Sequence, residues 1–149
     1  MSRPFFDETR QHTLIVVKPD GYARGLTGEV IRRIERKGYK VVALKLMQAS
    51  KELLTAHYTE LVERPFFPDI VEYMTSGPVV AMVVEGDRVI EGMRVIMGPT
   101  DPTVAPAGTI RGDLGRDWNS GNIENIVHGS DCPENAEREI GLWFPELTA

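Results

Sequence analysis

The sequence is short of several things, and each shortage narrows its chemistry. One cysteine, Cys132, stands alone in 149 residues, so no disulfide closes within the chain, in keeping with a reducing compartment. No apolar run approaches the ~18–20 residues a bilayer-crossing helix needs. The opening MSRPFFDETRQ lacks the basic and apolar blocks of a secretory signal. These absences set the cytoplasm as the expected location, with no membrane partner. Positive charge is also scarce: 17 Lys and Arg face 22 Asp and Glu, a formal net charge of −5. A general nucleic-acid coat needs a basic face that releases counterions, so no nucleic-acid partner is expected. A small phosphate compound needs only a local cluster of cations. Missing as well are a Walker A loop, a glycine-rich dinucleotide fingerprint, a Cys/His zinc cluster and a serine-hydrolase elbow.

What is present reads as one soluble domain over residues 1–149. It is 42% hydrophobic and 26% charged, ordinary for a globular fold. Residues 1–11 read as a loose N-terminal arm. Thr13–Val17 reads as a buried strand stopped by Pro19-Asp20-Gly21. A helix from about Thr27 carries Val30, Ile31 and Ile34 on one face and stops at Gly38. Lys40–Gln48 reads as a second strand, and Ser50 as the N-cap of a helix over Lys51–Val62. Pro65-Phe66-Phe67-Pro68 breaks that helix, and a short one follows over Asp69–Met74. Pro78–Glu85 is the clearest strand. Asp87 caps a helix to Met97, which Gly98 ends. Residues 99–125 read as a long loop, the kind that is usually functional or mobile. A short strand, Ile123–Val127, leads to His128, and Ser130 or Asp131 caps a last helix to about Trp143 with Pro133 in its first turn. This order fits either a parallel sheet or a split β-α-β arrangement with an antiparallel one.

Few residues offer chemistry. Of three histidines, His12 falls in the arm and reads as solvated, and His57 reads as core edge or surface. His128 stands where a strand gives way to Gly129-Ser130-Asp131, a place from which catalytic groups project. Lys18 closes the first strand. Arg94 lies on the polar side of its helix. Arg111 sits in Gly108-Thr109-Ile110-Arg111-Gly112-Asp113, where flanking glycines let backbone approach a ligand, and its planar fork suits phosphate. Of Phe66 and Phe67, one reads as core and the other as held outward, able to stack on a base.

Taken together, these stretches resemble the nucleoside diphosphate kinase family. The most specific block is Asn125-Ile126-Val127-His128-Gly129-Ser130-Asp131. Lys18-Pro19-Asp20-Gly21, Arg64-Pro65-Phe66-Phe67, Ser76–Met82 and Pro106–Asp113 match in the same order, so the likeness spans Thr13 to Phe144. It implies an α/β (α+β) ferredoxin-like sandwich with a four-stranded antiparallel sheet. It also implies that His128 is phosphorylated on its pros nitrogen, with Ser130 and Glu139 supporting the ring. Lys18 and Asn125 would bind the sugar hydroxyls, with Lys18 also near the terminal phosphate. Tyr58, Arg94, Thr100 and Arg111 would hold phosphates, and Phe66 would stack on the base. Mg²⁺ would ride on the nucleotide phosphates, with no metal ligand from the protein. Nucleoside di- and triphosphates would be the partners, in a homo-oligomer, hexamer or tetramer. A regulatory protein that binds nucleotides without turnover is the alternative on this scaffold; complete retention of the reactive set argues against it.

Two departures from the family pattern stand out. Gly115–Glu124 makes the stretch between Arg111 and Asn125 about four residues longer than in most members, and loop length changes closure free energy only slowly. It reads as a tolerated surface insertion, with an altered rim of the nucleotide cleft or a new subunit contact as the other reading. The chain also stops soon after the last helix, at Ala149, where many members carry a longer segment packed on a neighbouring subunit.

Overall fold

The computed structural model describes residues 3–147. Its four strands are β1 (Gln11–Val17), β2 (Lys40–Met47), β3 (Val79–Gly86) and β4 (Val127–Gly129), in the order β2-β3-β1-β4 with every neighbouring pair antiparallel. The central strands β1 and β3 are apolar on both faces because both are covered. Ile15, Val17, Met82 and Val84 face α2 (Thr27–Lys37) and α5 (Val89–Met97). Leu14, Val16, Ala81 and Val83 face α3 (Lys51–His57), α4 (Phe67–Met74) and α7 (Pro133–Trp143). Each such side chain removed from water contributes about 1.5–3 kcal/mol, which is why two alternating positions per strand are enough to fix the register. This is the ferredoxin-like sandwich with an antiparallel sheet. Among the described residues no helix is long and apolar enough to cross a membrane.

The sheet delivers its chemistry to one end. β1 runs out at Val17 and hands the chain to α1 (Pro19–Ala23), while β4 pairs with β1 through Val16 and His128. Lys18 and His128 therefore lie at the same end of neighbouring strands. Gly38 closes α2 at φ 98, the left-handed stop expected of it.

Several local expectations need correction. The N-terminal arm gives way to β1 at Gln11, so His12 is a strand residue; its ring bonds Glu85 at 2.9 Å and stacks on Phe6, and it is not solvated. Met1 and Ser2 of that arm lie outside the described residues. Pro19-Asp20-Gly21 forms a short helix instead of a turn, with Pro19 at its first position. α3 ends at His57, not Val62, and the proline break gives way to α4 already at Phe67. Asp87 does not cap α5: its carboxylate is held by Arg10 at 2.9 Å, and Arg88 enters the helix at φ 54. The long loop contains a helix, α6 (Ile110–Leu114), whose N-cap Thr109 accepts from Gly112 N–H. β4 begins at Val127, and Cys132 is the N-cap residue of α7 because Ser130 and Asp131 bond elsewhere.

Candidate active site

A tight turn aims His128. Ile126 sits at φ 75, a left-handed conformation that holds about 1–3 kcal/mol of strain for a β-branched residue. Three bonds hold it there. Val127 N–H donates to the Asn125 carbonyl at 2.8 Å, Ile126 N–H donates to the Asp20 carboxylate at 3.0 Å, and Lys18 N–H donates to the Ile126 carbonyl at 2.7 Å. The other Asp20 oxygen accepts from the Tyr73 hydroxyl. The turn ends the loop sharply, so His128 enters β4 with its ring toward the sheet end.

The ring is then fixed by α7. His128 Nε2 lies 2.9 Å from Glu139 Oε1, which also accepts from Ser130 Oγ at 2.7 Å. Ser130 Oγ in turn accepts from Leu14 N–H of β1 at 3.1 Å. Burial pushes the Glu139 carboxyl up, but the hydrogen bond to His128, the two neighbouring imidazoles and the Ser130 bond outweigh it, so its pKa falls below the usual value. An ionised carboxylate only accepts. Nε2 therefore carries the ring proton, and Nδ1 keeps its lone pair.

That ring borders a cavity of about 350 Å³. Eight of the ten residues singled out from the sequence line it: His128, Glu139, Lys18, Tyr58, Arg94, Thr100, Arg111 and Asn125. Ser130 is fully buried behind Glu139. Phe66 is absent from this cavity. It is 47% exposed at an adjoining, more apolar one of about 450 Å³, which shares Lys18, Tyr58, Thr100 and Asn125 with the first. Phe67, its neighbour, is buried core.

Two of the cations, Arg111 and Lys18, are held in place by hydrogen bonds. Arg111 is 6% exposed and donates to the carbonyls of Gly98, Asn125 and Val127 at 2.9, 3.3 and 2.6 Å. Three of its five N–H groups are spent on fixing the fork and two remain. Burial and the charge of Arg94 lower its pKa to about 10, still charged at neutral pH. Lys18 Nζ donates to Asn125 Oδ1 at 2.8 Å, and Asn125 Nδ2 donates to the Thr100 carbonyl at 2.9 Å. Burial, then the Arg111 charge, pull Lys18 down to about 8. Burial, then Glu139, push Tyr58 up to about 12, so its hydroxyl stays protonated. Arg94 projects from α5 into the same space, exposed. The glycine beside Arg111 serves the protein and not a ligand: a Cβ on Gly112 would lie 1.9 Å from the Pro106 carbonyl oxygen.

A ring nitrogen with a free lone pair thus shares one cavity with Lys18, Arg94 and Arg111. The model of the nucleoside diphosphate kinase family matches residues 11–148. The chain belongs to that family. Its activity is the family's, transfer of the terminal phosphate of a nucleoside triphosphate to a nucleoside diphosphate. It is 56% identical over 137 residues to the nucleoside diphosphate kinase of Thermobifida fusca, covering 92% of this chain and 98% of that protein. It is 53% identical over 138 residues to nucleoside diphosphate kinase B of Bos taurus, covering 90% and 86%. Among solved structures, a halophilic nucleoside diphosphate kinase from Halobacterium salinarum, in complex with CDP, superposes with a TM-score of 0.85. That match has 45% identity over 91% of this chain and 88% of that one.

Among the further residues that line the nucleoside diphosphate kinase cleft, His57 and Arg138 carried no signal in the sequence. His57 is buried, lines the cavity and meets the His128 ring edge-on at a centroid distance of 4.6 Å. Arg138, next to Glu139 on α7, donates to the Ala56 and His57 carbonyls at 2.9 and 3.3 Å and so ends α3. Basic residues near a helix C-terminus commonly do this, but the partner helix is 81 residues distant and no local pattern announces it. The extra stretch Gly115–Glu124 is not a detached surface loop. The Arg24 and Arg116 guanidinium groups lie over the Trp118 ring at 5.1 and 4.1 Å, and Gly121, Asn122 and Ile123 form one wall of the cavity beside Phe66.

Proposed function

We propose that the chain works as a single nucleoside diphosphate kinase domain in the cytoplasm, through a covalent phosphate on Nδ1 of His128. The observation that carries this is the Glu139 bond to Nε2, which leaves Nδ1 as the nitrogen with a free lone pair. In the first half-reaction the Nδ1–P bond forms and the bond from phosphorus to the β,γ-bridging oxygen breaks. The nucleoside diphosphate leaves with that electron pair. In the second half, a terminal oxygen of another diphosphate attacks the same phosphorus and the Nδ1 pair returns to the ring. A ring phosphorylated at Nδ1 and protonated at Nε2 is formally cationic, and the Glu139 carboxylate stabilises it.

Phosphoryl transfer asks the protein mainly for alignment and positive charge. Arg94 and Arg111 supply that charge, Tyr58 and Thr100 donate to phosphate oxygens, and Lys18 reaches both the terminal phosphate and, with Asn125, the sugar hydroxyls. Phe66 offers a face on which any base stacks, which supports broad base and sugar tolerance. Mg²⁺ would come bound to the nucleotide phosphates, with no ligand from the protein, and would supply neutralising charge there. The donor set agrees with this: His57, His128 and Glu139 cluster within 4.8 Å, but two nitrogens and an engaged carboxylate do not suit a hard, oxygen-seeking ion. β2 lies at the sheet edge with Leu44 and Leu46 54% and 59% exposed, an apolar edge that supports association with further copies of the chain. Exposure of the protein to γ-labelled ATP and Mg²⁺ is expected to give one acid-labile, alkali-stable label per chain, chased onto any added nucleoside diphosphate. His128→Ala should carry none; label retained in that variant would remove His128 as the carrier.

A further inference from the structure

One polar atom in the cleft has no task in the reaction as described. His57 ends α3, is 6% exposed and still lines the cavity around His128. Its Nδ1 lies 3.0 Å from Nε1 of the fully buried Trp143. An indole N–H only donates. Nδ1 must therefore accept, and the proton of the neutral ring sits on Nε2. Arg138 holds the backbone of the same residue through the Ala56 and His57 carbonyls. The ring is thus fixed from two sides by α7. Nε2–H has no protein partner among the described residues.

The surroundings say what kind of partner it takes. One nitrogen of His57, one of His128 and a Glu139 oxygen lie within 4.8 Å of each other. A metal ion needs lone pairs, and His57 has none to give: Nδ1 is taken by Trp143, and Nε2 carries the proton. Glu139 Oε1 already accepts from His128 and Ser130. A lone donor in a cavity walled by Lys18, Arg94 and Arg111 calls for an anionic oxygen. Burial first, then the neighbouring His128 imidazole, holds the His57 pKa at about 3, so the ring stays neutral across any working pH. That matters because a second cation beside His128 would oppose the cationic phosphorylated ring, whereas a neutral N–H would not.

We propose that His57 is a further catalytic residue, a neutral and fixed N–H donor to an oxygen of the phosphoryl group as it passes to and from His128. This rests on His128 being the phosphate carrier. Nε2–H opens on the cavity, where only water can meet it before substrate arrives, and an anionic phosphoryl oxygen is a stronger, charge-assisted acceptor than water. The interaction is therefore stronger on the reaction path than in the free enzyme, which is the condition for it to speed the chemical step.

The test compares His57→Phe, which removes the donor, with His57→Gln, whose amide can accept from Trp143 and still donate. Single-turnover formation of the phosphoenzyme from MgATP should slow about 10- to 100-fold in the Phe variant and recover most of that loss in the Gln variant. ADP, which brings no transferable phosphoryl group, should bind both with the wild-type Kd. Equal slowing in the two folded variants, or wild-type rates in Phe, would overturn the proposal. The unmutated enzyme gives a second check that no folding defect can obscure. ¹⁵N NMR should show His57 as the Nε2–H tautomer, unchanged from pH 5 to 8, with its proton moving downfield when His128 is phosphorylated. An Nδ1–H tautomer, a titration in that window or an unmoved proton would contradict it. If His128→Ala still takes up label, the carrier assignment fails instead, and the two failures are told apart.

Discussion

Two histidines in this protein are paired with a carboxylate at the same distance, and only one of them stands in a reactive setting. His128 meets Glu139 at 2.9 Å and His12 meets Glu85 at 2.9 Å. Both belong to the sheet, one at each end of the strand pair that β1 anchors. Pairing with a carboxylate therefore does not mark a nucleophile. What differs is what lies around the rest of the ring. The cavity at His128 is walled by Lys18, Arg94, Arg111 and Arg138. The one beside His12 sets a single arginine, Arg3, against Glu8 and Glu137, and Phe6 stacks on the ring at 4.7 Å. Glu85 also accepts from Asp7 N–H at 2.6 Å, so this second pair ties the N-terminal segment to the sheet. The same two side chains make a site in one place and a clasp in the other.

The comparison breaks most sharply at the cations. Arg111→Ala should lower turnover by about 100-fold or more, since one preorganised donor to developing charge is worth roughly 10²–10³ in kcat. It should also lose about 2–4 kcal/mol of stability, because three carbonyls lose their donor. Arg111→Lys should restore little of either, as an ammonium cannot span three carbonyls. Steady-state kinetics and a denaturant titration read both effects; unchanged turnover would remove Arg111 from phosphate binding.

A smaller effect should appear with pH. Lys18 is protonated below about 8 and loses its charge as pH rises through that value. kcat/KM, which reports the free enzyme, should therefore fall on the alkaline side from about pH 8, and Lys18→Arg should remove that limb. A profile flat to pH 10 would show that the lysine charge does not contribute. The smallest effect belongs to the other histidine. His12→Ala should leave the phosphoenzyme rate unchanged while costing about 1–3 kcal/mol of stability through the Glu85 bond; a lost rate would make the two pairs functionally alike.

How much of this could be read in the sequence follows from the range of each signal. The strands Thr13–Val17 and Pro78–Glu85 and the helix closed by Gly38 were legible because their causes are local: β-branched runs, an apolar stripe, a left-handed stop. The caps at Asp87, Ser130 and Asp131 were misread because those side chains found distant or competing partners, Arg10, Glu139 and Asn135. α6 escaped notice because five residues are too few to show a helical period. Of the site, the family motifs contain Lys18, Arg111, Asn125 and His128, while Tyr58, Arg94, Thr100 and Glu139 lie between them and follow only from the whole-chain resemblance. His57 carries no such mark, and its role depends on Trp143, 86 positions away.

The central claim is that Glu139 occupies one ring nitrogen and leaves the other to react. The direct measurement is the identity of the phosphohistidine in enzyme exposed to MgATP and digested in alkali, by ³¹P NMR against the two isomers. Phosphate on Nδ1 of His128 is expected. Phosphate on Nε2 would mean that the Glu139 contact does not set the nucleophile.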